Sequence, residues 1–144
     1  MPFFTKDLQV GGNIFIETAQ RKFNLSQSEA AAAVRGESGG LEIVPVIEQA
    51  CEGLATALER AQAYLRTAGE AGPVSRIMLC GGSAMTPGVS EFLQRRFNVP
   101  CEIANPLARI AYEPALFSGQ DVMKVAPLLT VGIGLALRRL GDKK

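Results

Sequence analysis

Apolar and polar positions divide the chain into segments of distinct period. Phe3 to Leu8 reads as a short strand, and Gly11 and Gly12 break it. Asn13 is placed to cap a helix through about Phe23. Ser26 and Glu29 form an S-x-x-E capping box ahead of an alanine-rich helix to about Arg35. From about Leu41 to Thr67, apolar Ile47, Cys51, Leu54, Leu58, Ala61 and Leu65 recur by fours and threes. That is one face of a long helix, with Pro45 tolerated only in its first turn.

Beyond a turn at Gly69 to Pro73 the pattern changes. Val74 to Cys80 is nearly continuous in apolar residues, which predicts a strand covered on both faces. Thr86 can cap and Pro87 can begin a helix through about Phe97, ended by Asn98 to Pro100. Cys101 to Ala104 reads as a short strand, and Asn105 to about Gln120 as irregular. A last helix is expected from Val122 or Ala126 to Leu140, with Arg138 and Arg139 suited to its C-terminal dipole. Strand, helix, strand, helix predicts an α/β parallel unit with crossovers. "RGESGG", Arg35 to Gly40, is the expected hinge between two substructures.

Composition narrows the function classes. The 144 residues suit about one domain, and 47% hydrophobic content supplies a core. Fifteen basic and fourteen acidic residues leave a net charge of +1, which offers neither a nucleic-acid footprint nor a polybasic membrane patch. Histidine is absent, removing the commonest general base and metal ligand. Cys51, Cys80 and Cys101 are odd in number and lie in apolar surroundings, so reduced, buried thiols and a cytoplasmic location are expected. "MPFFTKDL" is too short and polar for a signal peptide, and "VAPLLTVGIGLAL" falls short of the roughly 18 residues that span a bilayer.

The chemistry concentrates in "LCGGSAMTPG", Leu79 to Gly88. Two glycines at the carboxyl end of a strand, just before a helix, admit a ligand closer to the backbone than a Cβ atom allows. Free N–H groups and the helix dipole favour an electron-rich ligand there. A plain strand-to-helix turn is the alternative. Met85 reads equally as a core gap-filler, and Gly11-Gly12 as a helix-entry turn. Acidic residues Asp7, Glu48, Glu52, Glu59, Glu91 and Asp121 fall mostly at solvated helical spacing.

"LCGGSAMTPG" closely resembles the adenosine loop of the actin-like ATPase superfamily, the group with actin, Hsp70 chaperones, sugar kinases and FtsA. "DLQVGGN" resembles the segment entering the first helix of that superfamily's second large domain, and "NLSQSEAAAAVRGES" the helical segment of its small subdomain. "VPCEIANPLARI", Val99 to Ile110, resembles the PilM family of type IV pilus assembly. The resemblance covers nearly the whole chain, in order. It implies the C-terminal part of such a protein: an incomplete actin-like (ribonuclease H-like) second domain. Residues 1–12 and 41–144 would form the large subdomain, and 13–40 a small helical insertion.

The resemblance implies roles residue by residue. Gly81 and Gly82 would pack against the adenosine of ATP or ADP. Ser83 and Met85 would sit beside them, and Thr86 would line the base pocket. Gly12, with Gly11, would approach the ribose. The family's Glu and Lys near adenine and ribose match Ala31 and Val34 here, and Arg35 stands next in line for the Lys. The family's phosphate- and Mg²⁺-binding loops have no counterpart in this sequence, so ATP hydrolysis by this chain alone is not expected.

The family also implies a scaffold at the inner face of the inner membrane, among pilus assembly proteins. Its PilN-type partner would bind a part outside this chain. An active actin-like or sugar-kinase-type enzyme and a structural domain with a decayed site are the alternatives. Finally, a strand at Phe3 to Leu8 without neighbours leaves a sheet edge open, and self-association through it is expected.

Overall fold

The computed structural model describes residues 4–69 and 72–138. The start of the expected strand at Phe3, the middle of the turn Gly69 to Pro73, and Arg139 and Leu140 lie outside them.

Three helices form the first layer. Helix α1 spans Gly12–Phe23, α2 spans Gln27–Val34 and α3 spans Val44–Thr67. The capping box of α2 forms as the sequence predicts: Ser26 Oγ accepts from the Glu29 N–H, and the Ser26 N–H donates to Glu29 Oε2 at 2.8 Å. Asn13, by contrast, lies inside α1, and extended Gly11 precedes it as the cap. Helix α3 starts at Val44 rather than Leu41, which puts Pro45 in the first turn, where its missing N–H costs nothing.

Strand β1, Ile77–Leu79, helix α4, Val89–Phe97, and strand β2, Cys101–Ile103, follow. The strands are parallel, with Ile77 opposite Cys101 and Leu79 opposite Ile103. The predicted strand–helix–strand crossover is thus present. Its strands are shorter than expected, and Met78, 52% exposed, shows that β1 is open on one face. The segment from Phe4 to Leu8 is not a strand. A strand exists through its ladder, and no neighbour pairs with this segment among the described residues.

The last expected helix is divided. Helix α5, Val122–Val125, passes into a 3₁₀ turn at Ala126–Leu129 and then into α6, Thr130–Ala136. Pro127 is the cause, since it lacks the N–H an α-helix needs there.

The core lies where α1, α2, α3 and α4 meet. Phe15, Ala19, Ala30, Ile47, Cys51, Ala55 and Leu93 are at most 2% exposed. Residues 13–40 and 41–67 therefore share one apolar cluster across the expected hinge. Two ion pairs tie α4 to α3 across its surface: Arg95 with Glu48, and Arg96 with Glu59 at 2.8 Å. Burial pushes the Cys51 thiol up to about 11, helped by nearby Glu48 and Glu52. Cys80 departs from the expectation for all three thiols, because it stands exposed at the end of β1.

Candidate functional site

The glycine loop is built from β1 outward. The parallel ladder runs to its end, with the Ala104 N–H donating to the Leu79 carbonyl at 2.7 Å. Gly81 then turns the chain with φ +87°, a conformation that strains any residue with a Cβ. A 3₁₀ turn, Gly82–Met85, follows, with Ala84 buried. The α4 entry differs from the expected Thr86-Pro87 start. Thr86 ends the 3₁₀ turn, and Gly88, φ +92°, is the residue before α4. A Cβ on Gly88 would stand 3.1 Å from Val44 Cγ1, so glycine is required there by packing as well as by backbone.

Three distant parts of the sequence converge on this loop. A Cβ on Gly12 would lie 3.2 Å from Ser83 Oγ, so the two glycine pairs, some seventy positions apart, are neighbours. The turn after α2 also reaches the loop, since a Cβ on Gly36 would lie 3.4 Å from Pro87 Cγ. From the other side, the Gly81 N–H donates to the Pro127 carbonyl at 2.9 Å. Leu128 Cδ2 stands 3.5 Å from where a Gly82 Cβ would be.

Several predicted residues are therefore together: Gly12, Ser83, Gly81 and Gly82. Met85 is half-buried and Thr86 buried beside them. Gly11 is exposed and borders an open depression of about 520 Å³ lined by residues from Leu8 to Glu17. Arg35 is near through its neighbour Gly36, but its guanidinium is engaged elsewhere. It makes two 2.8 Å bonds to the Glu37 carboxylate, which hold that carboxyl below its usual range. Val34 is buried in the core, so the α2 wall presents neither an acid nor a base there.

The geometry fits a neutral, flat ligand. No charged side chain occurs between Cys80 and Gly88, and the space a Gly81 Cβ would enter is open for 4 Å. Gly82 is exposed, so its backbone is accessible. The Thr86 hydroxyl makes no hydrogen bond among the described residues. Gly81, Gly82, Ser83 and Thr86 would thus hold a nucleoside through backbone and hydroxyl groups. The acidic groups nearby are occupied. Glu91, in the first turn of α4, is lowered by its own backbone N–H, by the Ser90 hydroxyl and by the Gly88 N–H.

The Pro127 carbonyl and Leu128 had no sequence signal as parts of this site. A backbone acceptor is not written in side-chain identity, and Leu128 reads as one more core residue of an apolar run. The Asn105 segment takes a local form: Asn105 Oδ1 accepts from the Leu107 N–H at 3.0 Å, closing a turn that buries Leu107.

These features define a class: a parallel strand–helix–strand unit, with a glycine loop ending its first strand and a helical layer behind it. The family follows from comparison. The family model described as type IV pilus assembly protein PilM matches residues 2–140, and the chain belongs to that family, as a C-terminal domain of it. It is also similar to a chain of a solved PilM-PilN type IV pilus biogenesis complex, with 26% identity and a TM-score of 0.71. That match covers 91% of this chain and 37% of the other, so the chain spans little more than a third of that relative's length. No helix among the described residues is long and apolar enough to cross a membrane.

Proposed function

We propose that this chain is the adenosine-side part of an actin-like nucleotide site, within a scaffold protein of type IV pilus assembly. The observation that carries the reading is the contact of Gly12 with Ser83, which brings both glycine pairs to one place at the end of β1. A nucleoside bound there rests on backbone rather than on side chains. ATP or ADP, when bound, would favour the arrangement of the glycine loop that it contacts. Gly81, Gly82, Ser83 and Thr86 orient its base and ribose, and Gly12 keeps the first turn of α1 close.

The chain by itself does not hydrolyse ATP under this reading. Four of its carboxylates are engaged: Glu48, Glu59 and Glu37 are paired with arginines, and Glu91 is held by the first turn of α4. Mg²⁺ would enter only with phosphate-binding loops from elsewhere. The protein works at the cytoplasmic face of the inner membrane through partners. A PilN-type partner, of the kind in the solved complex of the PilM relative, docks outside this chain. Self-association is part of the proposal: the edge expected at Phe3 to Leu8 does not form over its described residues, and the support is instead the two-stranded sheet β1-β2, whose outer edges have no strand partner among the described residues.

A second reading, a structural domain with a decayed site, draws on the burial of Val34 and the engagement of Arg35 by Glu37. One preparation of the full chain separates them. Calorimetric titration with ADP is expected to show binding that Gly12→Val weakens at least about tenfold, because its methyls collide with Ser83. Wild-type chain that binds no ADP at millimolar concentration overturns the nucleotide reading and leaves the structural one. Light scattering on the same sample is expected to exceed 15.3 kDa, and a clean monomer at high concentration overturns the edge contact.

A further inference from the structure

The turn Ala126–Leu129 touches the glycine loop at two points, and the function proposed above does not use either. Its Pro127 carbonyl accepts from the Gly81 N–H at 2.9 Å and from the Thr130 hydroxyl at 2.9 Å. The first bond fixes the orientation of Gly81, which is free to turn because φ +87° is open to glycine alone. The second fixes the carbonyl to the first residue of α6. Pro127 itself is buried, as is Ala126 at 0% exposure. The turn is therefore an anchored platform.

Leu128 stands at the rim of this platform. Its neighbours Ala126 and Pro127 are buried, yet Leu128 is 53% exposed, with Cδ2 3.5 Å from the missing Cβ of Gly82. An exposed leucine beside an exposed glycine backbone makes an apolar wall with no charge in its own segments: residues 80–88 and 126–130 contain no ionisable acid or base other than the Cys80 thiol. Such a wall is suited to the face or edge of an uncharged aromatic ring and offers nothing to a phosphate.

We propose that Leu128 is a specificity-determining residue of the nucleoside site, an apolar rim beside Gly82 against which the purine ring packs, and that the Pro127 carbonyl is the positioning group that sets the loop. This rests on the nucleotide reading above. The ligand class is the purine nucleoside itself, recognised through its ring and independently of its phosphates.

The test is a methyl and amide NMR titration of the full chain with adenosine, and separately with inorganic tripolyphosphate. Adenosine is expected to shift the Leu128 methyls and the Gly81 and Gly82 amides, while tripolyphosphate leaves them in place. Leu128→Ala is expected to weaken adenosine about fivefold, and Leu128→Met to retain wild-type affinity, since it keeps the apolar wall. The thermal midpoint of Leu128→Ala stays near wild type, because the side chain is half in solvent. Shifts at Gly81 and Gly82 with Leu128 unmoved and Leu128→Ala unaffected overturn this inference and leave the nucleotide site standing. No adenosine shifts anywhere at millimolar concentration overturn both. Equal loss in Leu128→Met and Leu128→Ala overturns the apolar-wall argument alone.

Discussion

The helical layer α1 to α4 and the segment from Leu116 to Leu137 have similar apolar content and opposite fates. In α1 to α4, Ala19, Ala30, Ile47, Cys51, Ala55 and Leu93 have no exposed surface at all. In the segment from Leu116 to Leu137, leucine and valine lie open: Leu116 74%, Val131 71%, Leu137 64% and Leu135 59%. The first region closes on itself because its periodic faces have partners from within the chain. The second is anchored to the glycine loop only through Ala126 to Leu128, and none of its residues from Val131 to Leu137 is buried. Sequence pattern records that a face is apolar, while burial depends on whether a partner element is present. Stability and surface chemistry should therefore separate along the chain, with the glycine loop at the seam.

The largest expected effect tests that asymmetry directly. Ile47→Ala, at a position with no exposure, should lower unfolding stability by about 3 kcal/mol, the usual cost of lost burial plus a cavity. Leu135→Ala removes a comparable side chain from a mostly open position and should change stability by less than about 0.5 kcal/mol. Urea denaturation of both variants measures the pair. Equal losses would mean that α6 is covered in solution, and the comparison would fail.

Gly88→Ala probes the seam and should come next in size. The residue has φ +92°, and an added Cβ would meet Val44 Cγ1 at 3.1 Å, so backbone strain and overpacking act together. The loss should be about 2 kcal/mol. Gly81→Ala has a similar φ of +87° but open space around the new Cβ. It should cost less in stability, from backbone strain alone. A thermal melt in which Gly81→Ala falls below Gly88→Ala would show that Val44 yields without cost.

What the sequence revealed follows the same division. The capping box at Ser26 and the face of α3 from Ile47 to Leu65 were legible because their partners lie three or four residues away. The strand expected at Phe4 to Leu8 was not, because a strand is a statement about a neighbour. Pro127 could be seen to interrupt a helix, yet its carbonyl's bond to Gly81 crosses more than forty residues and leaves no mark in side-chain identity. At the site, the glycine pairs were visible as glycines, and their adjacency through Ser83 was not. Arg35 has the right charge one position beyond the family's Lys, but Glu37, two residues on, claims it. Thr86 had cap chemistry, but Gly88 takes the helix entry because the 3₁₀ turn displaces it by two residues.

The smallest expected effect sharpens the comparison from within the helical layer, where the capping box is exposed while the core behind it is closed. Glu29 is lowered below the ordinary 4.5, first by the Ser26 hydroxyl and then by the Ser26 N–H. A carboxyl depressed in the folded state contributes stability that is present above its unfolded value and lost as pH falls through the folded one. Ser26→Ala removes the hydroxyl cap and the larger part of this dependence, while the backbone N–H at position 26 still donates to Glu29. At neutral pH it should therefore destabilise the chain, by less than Gly88→Ala does. As pH falls below about 4.5, wild type should lose its advantage, and the two melting curves should draw together. The side chains lie in solvent, so salt should narrow the gap as well. A gap that stays constant from neutral pH to well below the carboxylate range would mean that the hydroxyl's bond to the Glu29 N–H carries the cap and the carboxylate adds nothing. In that case the exposed end of α2 would be held, like its buried face, by contacts that no change of pH can reach.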